Sequence, residues 1–193
     1  MLPVGWLVFA VVLAVLLSMW VTFTLTRLDR LHARVDAAWA ALDAQLVRRA
    51  AALQHVAESP DSGLSVPLRA PCDEVARAAL AARTQDAARQ STENAVGRMI
   101  SSVAERADLL RPDAEAELGE GAERVQVARR FYNDAVRDTR ALRSRRMPRL
   151  LRLAGRRAMP QFFDIDDTVI LPARRPETAP AVDAGPTDAK DAI

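Results

Sequence analysis

The 193-residue chain has one cysteine, two histidines, one tyrosine, seven glycines and one lysine, and aromatics make up only 5% of it. A single thiol, Cys72, excludes a disulfide framework and a thiolate metal cluster. His32 and His55 lie too far apart on one long helical stretch to share a metal there, and both read as surface residues. Scarce aromatics and glycines argue against a sandwich or barrel, which needs aromatic and β-branched strands with frequent turns. A formal net charge of +2 implies no strong overall attraction to nucleic acid. None of G-x-x-x-x-G-K-[ST], G-x-G-x-x-G, H-E-x-x-H, C-x-x-C or G-x-S-x-G occurs. No enzyme, cofactor or metal is therefore expected.

What is present begins with an apolar N-terminus. Met1 to Thr26 contains no charged side chain, and Val4–Thr26 is rich in leucine, valine and phenylalanine. At 1.5 Å per residue this run covers about 34 Å, enough for a hydrocarbon core of about 30 Å. No basic residue precedes it and no A-x-A-like site follows it, which favours an uncleaved anchor over a signal peptide. Arg27, Arg30 and Arg34 flank only its C-terminal side, so the N-terminus is expected outside and the bulk of the chain in the cytoplasm. The division expected is 1–26 transmembrane anchor, 27–165 helical bundle and 166–193 disordered tail.

Three long helices are expected in the bundle. No glycine or proline occurs between Trp6 and Ser59, so the anchor should continue inward as helix. Its apolar stripe runs Leu28, Leu31, Val35, Trp39, Leu42, Leu46, Leu53, Val56, at steps of three and four with Arg49 interrupting. Residues 59–71 hold three prolines and one glycine and read as a loop. A second helix should start near Pro71–Asp73 and end before Pro112, with a weakly patterned polar stretch from Gln85 to Asn94. A third should run from about Asp113 to Arg146, firm at least after Gly121. Narrow alanine-rich stripes of this kind pack as an antiparallel all-α bundle.

Three segments carry a resemblance. RVDAAWAALDAQLVRRAAAL (Arg34–Leu53), AERVQVARRFYNDAVRD (Ala122–Asp138) and MPQFFDI (Met159–Ile165) resemble, in order and spacing, segments of the LemA family. The resemblance implies a bacterial plasma-membrane protein with an N-terminal membrane helix, a cytoplasmic helical bundle and no catalytic role. It points to Asp43, Gln45, Arg48, Arg49, Arg130, Tyr132, Asn133 and Arg137 as family-motif positions. This chain departs from the family in the loop at Ser59–Pro71, in Arg106-Ala107-Asp108-Leu109 where the family has Tyr-Pro-Asp-Leu, and in the following stretch to Glu117–Leu118, which is shorter by about one helical turn, or 5.4 Å. It is a trimmed, divergent member by this reading.

Candidate functional contacts follow from spacing. Asp36 and Asp43 share a helix face, and Arg130 and Arg137 repeat that spacing on the third helix. One reading makes them an inter-helix polar contact that sets register; the other leaves each pair solvated on its own helix. Two carboxylates two turns apart, about 10.5 Å in axial rise, are too distant for a direct glycosidase-like pair. Trp39 and Tyr132 are expected to fill the core rather than to form a stacking platform.

The segment Arg140–Arg157 carries eight arginines and no acid. Arg143, Arg145, Arg146, Arg149, Arg152, Arg156 and Arg157 could meet anionic lipid, a nucleic-acid backbone or an acidic protein. Alternatively they are offset by residues 164–193, which carry seven acids against three bases. Alternating helices would start this run about 45–50 Å from the bilayer, beyond the Debye length of about 8 Å. The partners expected are the bilayer through residues 4–26, other proteins and a second copy of the chain, with nucleic acid disfavoured.

Overall fold

The computed structural model describes residues 4–82, 85, 87–106, 110–144 and 158–166. Among them there are four α-helices, one 3-10 turn and no strand. Helix α1 (Val4–Glu58) is a single element of 55 residues. Its character changes near Thr24. Before that point the large side chains are exposed except half-buried Val21, with Trp6 at 63%, Phe9 at 58% and Leu16 at 56%; beyond it Leu28, Val35, Leu42, Leu46 and Leu53 are buried. Thr22, Thr24 and Thr26 turn their hydroxyls back onto the carbonyls of Ser18, Trp20 and Thr22, each at 2.9 Å, so these three hydroxyl hydrogens are paired within the helix. By length and composition α1 can cross a membrane, and none of its most apolar window is covered by protein.

The chain leaves α1 through a 3-10 turn, Pro60–Ser62, and Gly63, whose φ of 81° lies in the left-handed region that glycine reaches without strain. Helix α2 (Val66–Ala81) begins earlier than the proline-rich sequence suggested. Pro67 sits in its first turn, where no amide is required. Pro71 lies inside the helix and removes one backbone bond, to residue 67. The expected second helix is in fact two. Ala82 turns extended (ψ 120°) and α3 (Ala87–Ala104) starts afresh, so the break falls in the weakly patterned polar stretch.

Helix α4 (Pro112–Arg143) starts with proline in its first turn and Asp113 and Glu115 at its positive end, and it continues through Gly119 and Gly121. The expected disordered tail beyond Asp166, and Arg145, Arg146, Arg149, Arg152, Arg156 and Arg157, lie outside the described residues.

Helix α1 is the central post, packed against α4 and α2, while α2 packs on α3. Helices α1 and α4 are antiparallel: Arg34 meets Asp138, the Trp39 ring meets Tyr132, and His55 meets Glu117. Two apolar cores result. The one nearer the apolar half of α1 holds Val35, Leu42, Leu46, Val125, Tyr132, Val136, Phe163 and Ile165. The farther one joins Ala50, Leu53 and Val56 to Leu64, Cys72, Ala76, Val96, Ile100 and Leu118. Burial alone pushes the Cys72 thiol up to about 11. His32, expected at the surface, is 6% exposed, with Nδ1 3.0 Å from the Leu28 carbonyl; it faces inward one turn before Val35. His55 is exposed as expected, beside Glu117 at 3.0 Å.

Candidate functional site

Between the two cores lies a cluster of buried charge. Arg49, Arg89 and Glu93 are each 1% exposed or less. Glu93 accepts from Arg49 Nη2 through Oε2 and from Arg89 Nε through Oε1, both at 2.9 Å. Arg49 Nη2 also donates to the Glu93 carbonyl at 3.0 Å. Arg89 Nη2 reaches Asp43 Oδ1 at 2.9 Å, and its Nη1 donates to the Ala82 carbonyl at the end of α2. Two guanidinium charges thus meet two carboxylates, and α1, α2 and α3 are tied at one level. A buried pair held this way contributes less to net stability than to which arrangement is stable, because desolvation offsets most of the Coulomb gain.

This contact differs from the one that the aspartate and arginine spacing suggested. Asp43 does make an inter-helix ion pair, but with Arg89 on α3, not with Arg130 or Arg137. Arg137 pairs instead with Asp134 on its own helix, both exposed. Asp36, Arg48 and Arg130 are exposed. Between α1 and α4 an ion pair joins Arg34 to Asp138 at 3.0 Å. Gln45 is half-buried, and its Oε1 is buried without a hydrogen-bond partner. Arg89 and Glu93 were missed because they fall in the stretch that lacked apolar residues. A signal existed: stepping back from buried Val96 by three and then four residues lands on Glu93 and Arg89.

The second constellation is a clamp on the extended segment 158–166. Asn133 holds the backbone of Phe163 at both ends: its Nδ2 donates to the carbonyl and its Oδ1 accepts from the amide, each at 3.0 Å. Tyr132 Oη donates to the Gln161 carbonyl at 2.7 Å, and Gln85 Nε2 donates to that same Oη at 2.6 Å. Asn94 Oδ1 accepts from the Asp166 amide at 2.8 Å. Arg140 and Arg143 donate to the carbonyls of Pro160 and Ala158 at 3.3 and 2.9 Å. Arg140 also lies 5.2 Å from the Phe162 ring centre.

These side chains supply the partners that a neighbouring strand would supply, so an irregular backbone is packed against helices with its polar groups satisfied. Phe163, 1% exposed, then fills the space beside Trp39 (ring centres 5.4 Å) while Trp39 meets Tyr132 at 5.5 Å, both edge-on. Tyr132 is buried in this core and Trp39 is half-buried against it. Desolvation raises the Tyr132 phenol above its ordinary value; the Gln85 bond opposes this and the Asp36 charge adds to it.

Among the described residues no group of three His, Cys, Asp or Glu side chains is placed to hold a metal. The buried charges face one another and the clamp faces backbone, so both constellations organise the chain itself. No family model, curated protein or solved structure matches this chain.

Proposed function

We propose that this chain is a membrane-anchored helical scaffold of the LemA type, without catalytic activity, that presents an antiparallel helical bundle to protein partners in the bacterial cytoplasm. The observation that carries the reading is the continuity of α1. One helix has an apolar half covered by no protein and a second half that packs against both α2 and α4. A rigid post of this kind transmits the position of the anchor to everything packed on it. The resemblance gains support from geometry, since its three segments converge: Trp39, Tyr132 and Phe163 come one from each and touch. N-terminus-out orientation follows from the arginines at positions 27, 30 and 34.

Carbonate washing of membranes, with protease added outside intact spheroplasts, tests the reading. The chain is expected to stay in the membrane and its C-terminal portion to remain protected; release by carbonate, or digestion from outside, overturns it. A contact of Arg140–Arg157 with anionic lipid or nucleic acid is the alternative. The large separation from the bilayer expected of alternating helices does not hold, because α4 runs back along α1, sets Asp138 beside Arg34 and Thr139 beside Leu31, and ends level with the inner end of the apolar half of α1. Arg140 and Arg143 already serve segment 158–166, which leaves only the arginines beyond them.

A further inference from the structure

We infer that the open side of the α1–α4 pair is a self-association face, on which a second copy of this chain seats around a two-fold axis parallel to the helices. One side of this pair is covered by α3 and segment 158–166; the other is a groove of about 470 Å³, lined by Ala38, Ala41 and Gln45 from α1 and by Val127, Ala128 and Phe131 from α4. Phe131 is 64% exposed and Val127 49%, large apolar groups left in solvent at the groove's edge. On α1 the neighbouring surface is alanine: Ala37, Ala40, Ala41 and Ala44 are all exposed. The buried Gln45 Oε1 within the lining has no donor.

The argument for a second copy is one of register. Arg34 with Asp138, Trp39 with Tyr132, Arg49 beside Gly121, and His55 with Glu117 show that each step along α1 is matched by one step back along α4. On that register Phe131 lies level with Ala40 and Ala41, Val127 with Ala44, and Glu123 with Arg48. Rotation by two-fold symmetry about an axis along the helices preserves height. It places α4 of one copy directly against α1 of the other.

Each bulky apolar group then meets an alanine, and each Glu123 meets Arg48 of the other copy. Arg48 and Glu123 are both exposed and enter no ion pair among the described residues. Knob, socket and both charges are on one face at matching heights, which is the condition for an isologous interface. The inference rests on the anchored reading for the common orientation of the copies. An axis normal to the bilayer is the one that co-oriented anchors share, and confinement to a membrane raises their effective concentration.

The test uses two differently tagged full-length chains co-expressed in native membranes, one carrying Ala44→Cys and the other Val127→Cys, with a short thiol cross-linker. Buried Cys72 is a silent background. The mixed pair is expected to cross-link well above either single variant expressed alone, because like helices lie diagonally across the axis. Arg48→Glu or Glu123→Arg should lower the yield several-fold, and both reversals on every chain should restore it. A mixed yield no higher than the singles, or one indifferent to Arg48→Glu, overturns the inference. Carbonate washing of the same membranes separates the two readings. A chain that washes free yet cross-links in the mixed pair removes the anchor and keeps the dimer. A retained chain without mixed cross-linking removes the dimer alone.

Discussion

Replacing Glu93 by glutamine changes one atom of a fully buried side chain and the charge of a buried cluster. In the native chain Glu93 Oε1 and Oε2 each accept from a different arginine at 2.9 Å. Glutamine presents a donor where one guanidinium also donates, and it leaves the positive charges of Arg49 and Arg89 facing Asp43 alone. Asp43 keeps 39% side-chain exposure and contacts only Arg89 of the two. Removing one partner of a buried ion pair costs about 3–5 kcal/mol. The amide retains the shape and one acceptor, so about 3 kcal/mol is expected for Glu93→Gln. For a chain of this size that lowers Tm by roughly 6–12 °C, read by circular dichroism on the full-length protein in detergent.

The companion variant replaces Arg49, Arg89 and Glu93 together by methionine. It removes the desolvation penalty along with the attraction, so its net effect should be within about 1–2 kcal/mol of zero. Loss of the bond from Arg89 to the Ala82 carbonyl sets the unfavourable side of that range. A Glu93→Gln variant that melts within about 2 °C of the parent, or a triple variant as unstable as the single one, refutes the reasoning.

Gly121→Ala should raise stability by about 0.5–1 kcal/mol: the position is helical, and an added Cβ meets only Arg49 atoms at 3.6 to 3.8 Å, ordinary contact; a lower melting temperature contradicts this. Phe163→Ala should cost about 3–5 kcal/mol, and Asn133→Ala about 1–3 kcal/mol by stranding the Phe163 amide and carbonyl. In both, limited proteolysis should cut within residues 158–166 faster than in the parent, and unchanged cleavage speaks against the clamp. Cys72, 0% exposed with its thiol pushed up to about 11, should resist maleimide at neutral pH until the chain is denatured; rapid native labelling contradicts that burial. Tyr132 is the only tyrosine, so its ionisation can be followed spectroscopically. Its folded value is raised, so the native state holds the proton longer than the unfolded state does. Stability should therefore be steady below pH of about 10 and fall above it, and a native midpoint below that of the denatured chain would show the reverse.

The sequence by itself determined what depends on one helix at a time. The uncharged run to Thr26 and the absence of glycine and proline from Trp6 to Ser59 required one continuous helix with an apolar half. Steps of three and four marked Leu28, Val35, Leu42 and Leu46 as its inner face, and Pro112 with Asp113 marked the start of α4. Tertiary structure decided which polar groups meet. The rotation of α1 about its axis relative to α3, a quantity no single helix encodes, sends Asp43 to Arg89 and buries Arg49 on Glu93. The second helix divides at Ala82, and beyond it Arg89 and Glu93 continue the buried face with charge, which a pattern of apolar residues cannot register. Segment 158–166 has no period of its own, and its path exists only because Asn133, Tyr132, Asn94 and Arg140 arrive from two helices to satisfy its backbone.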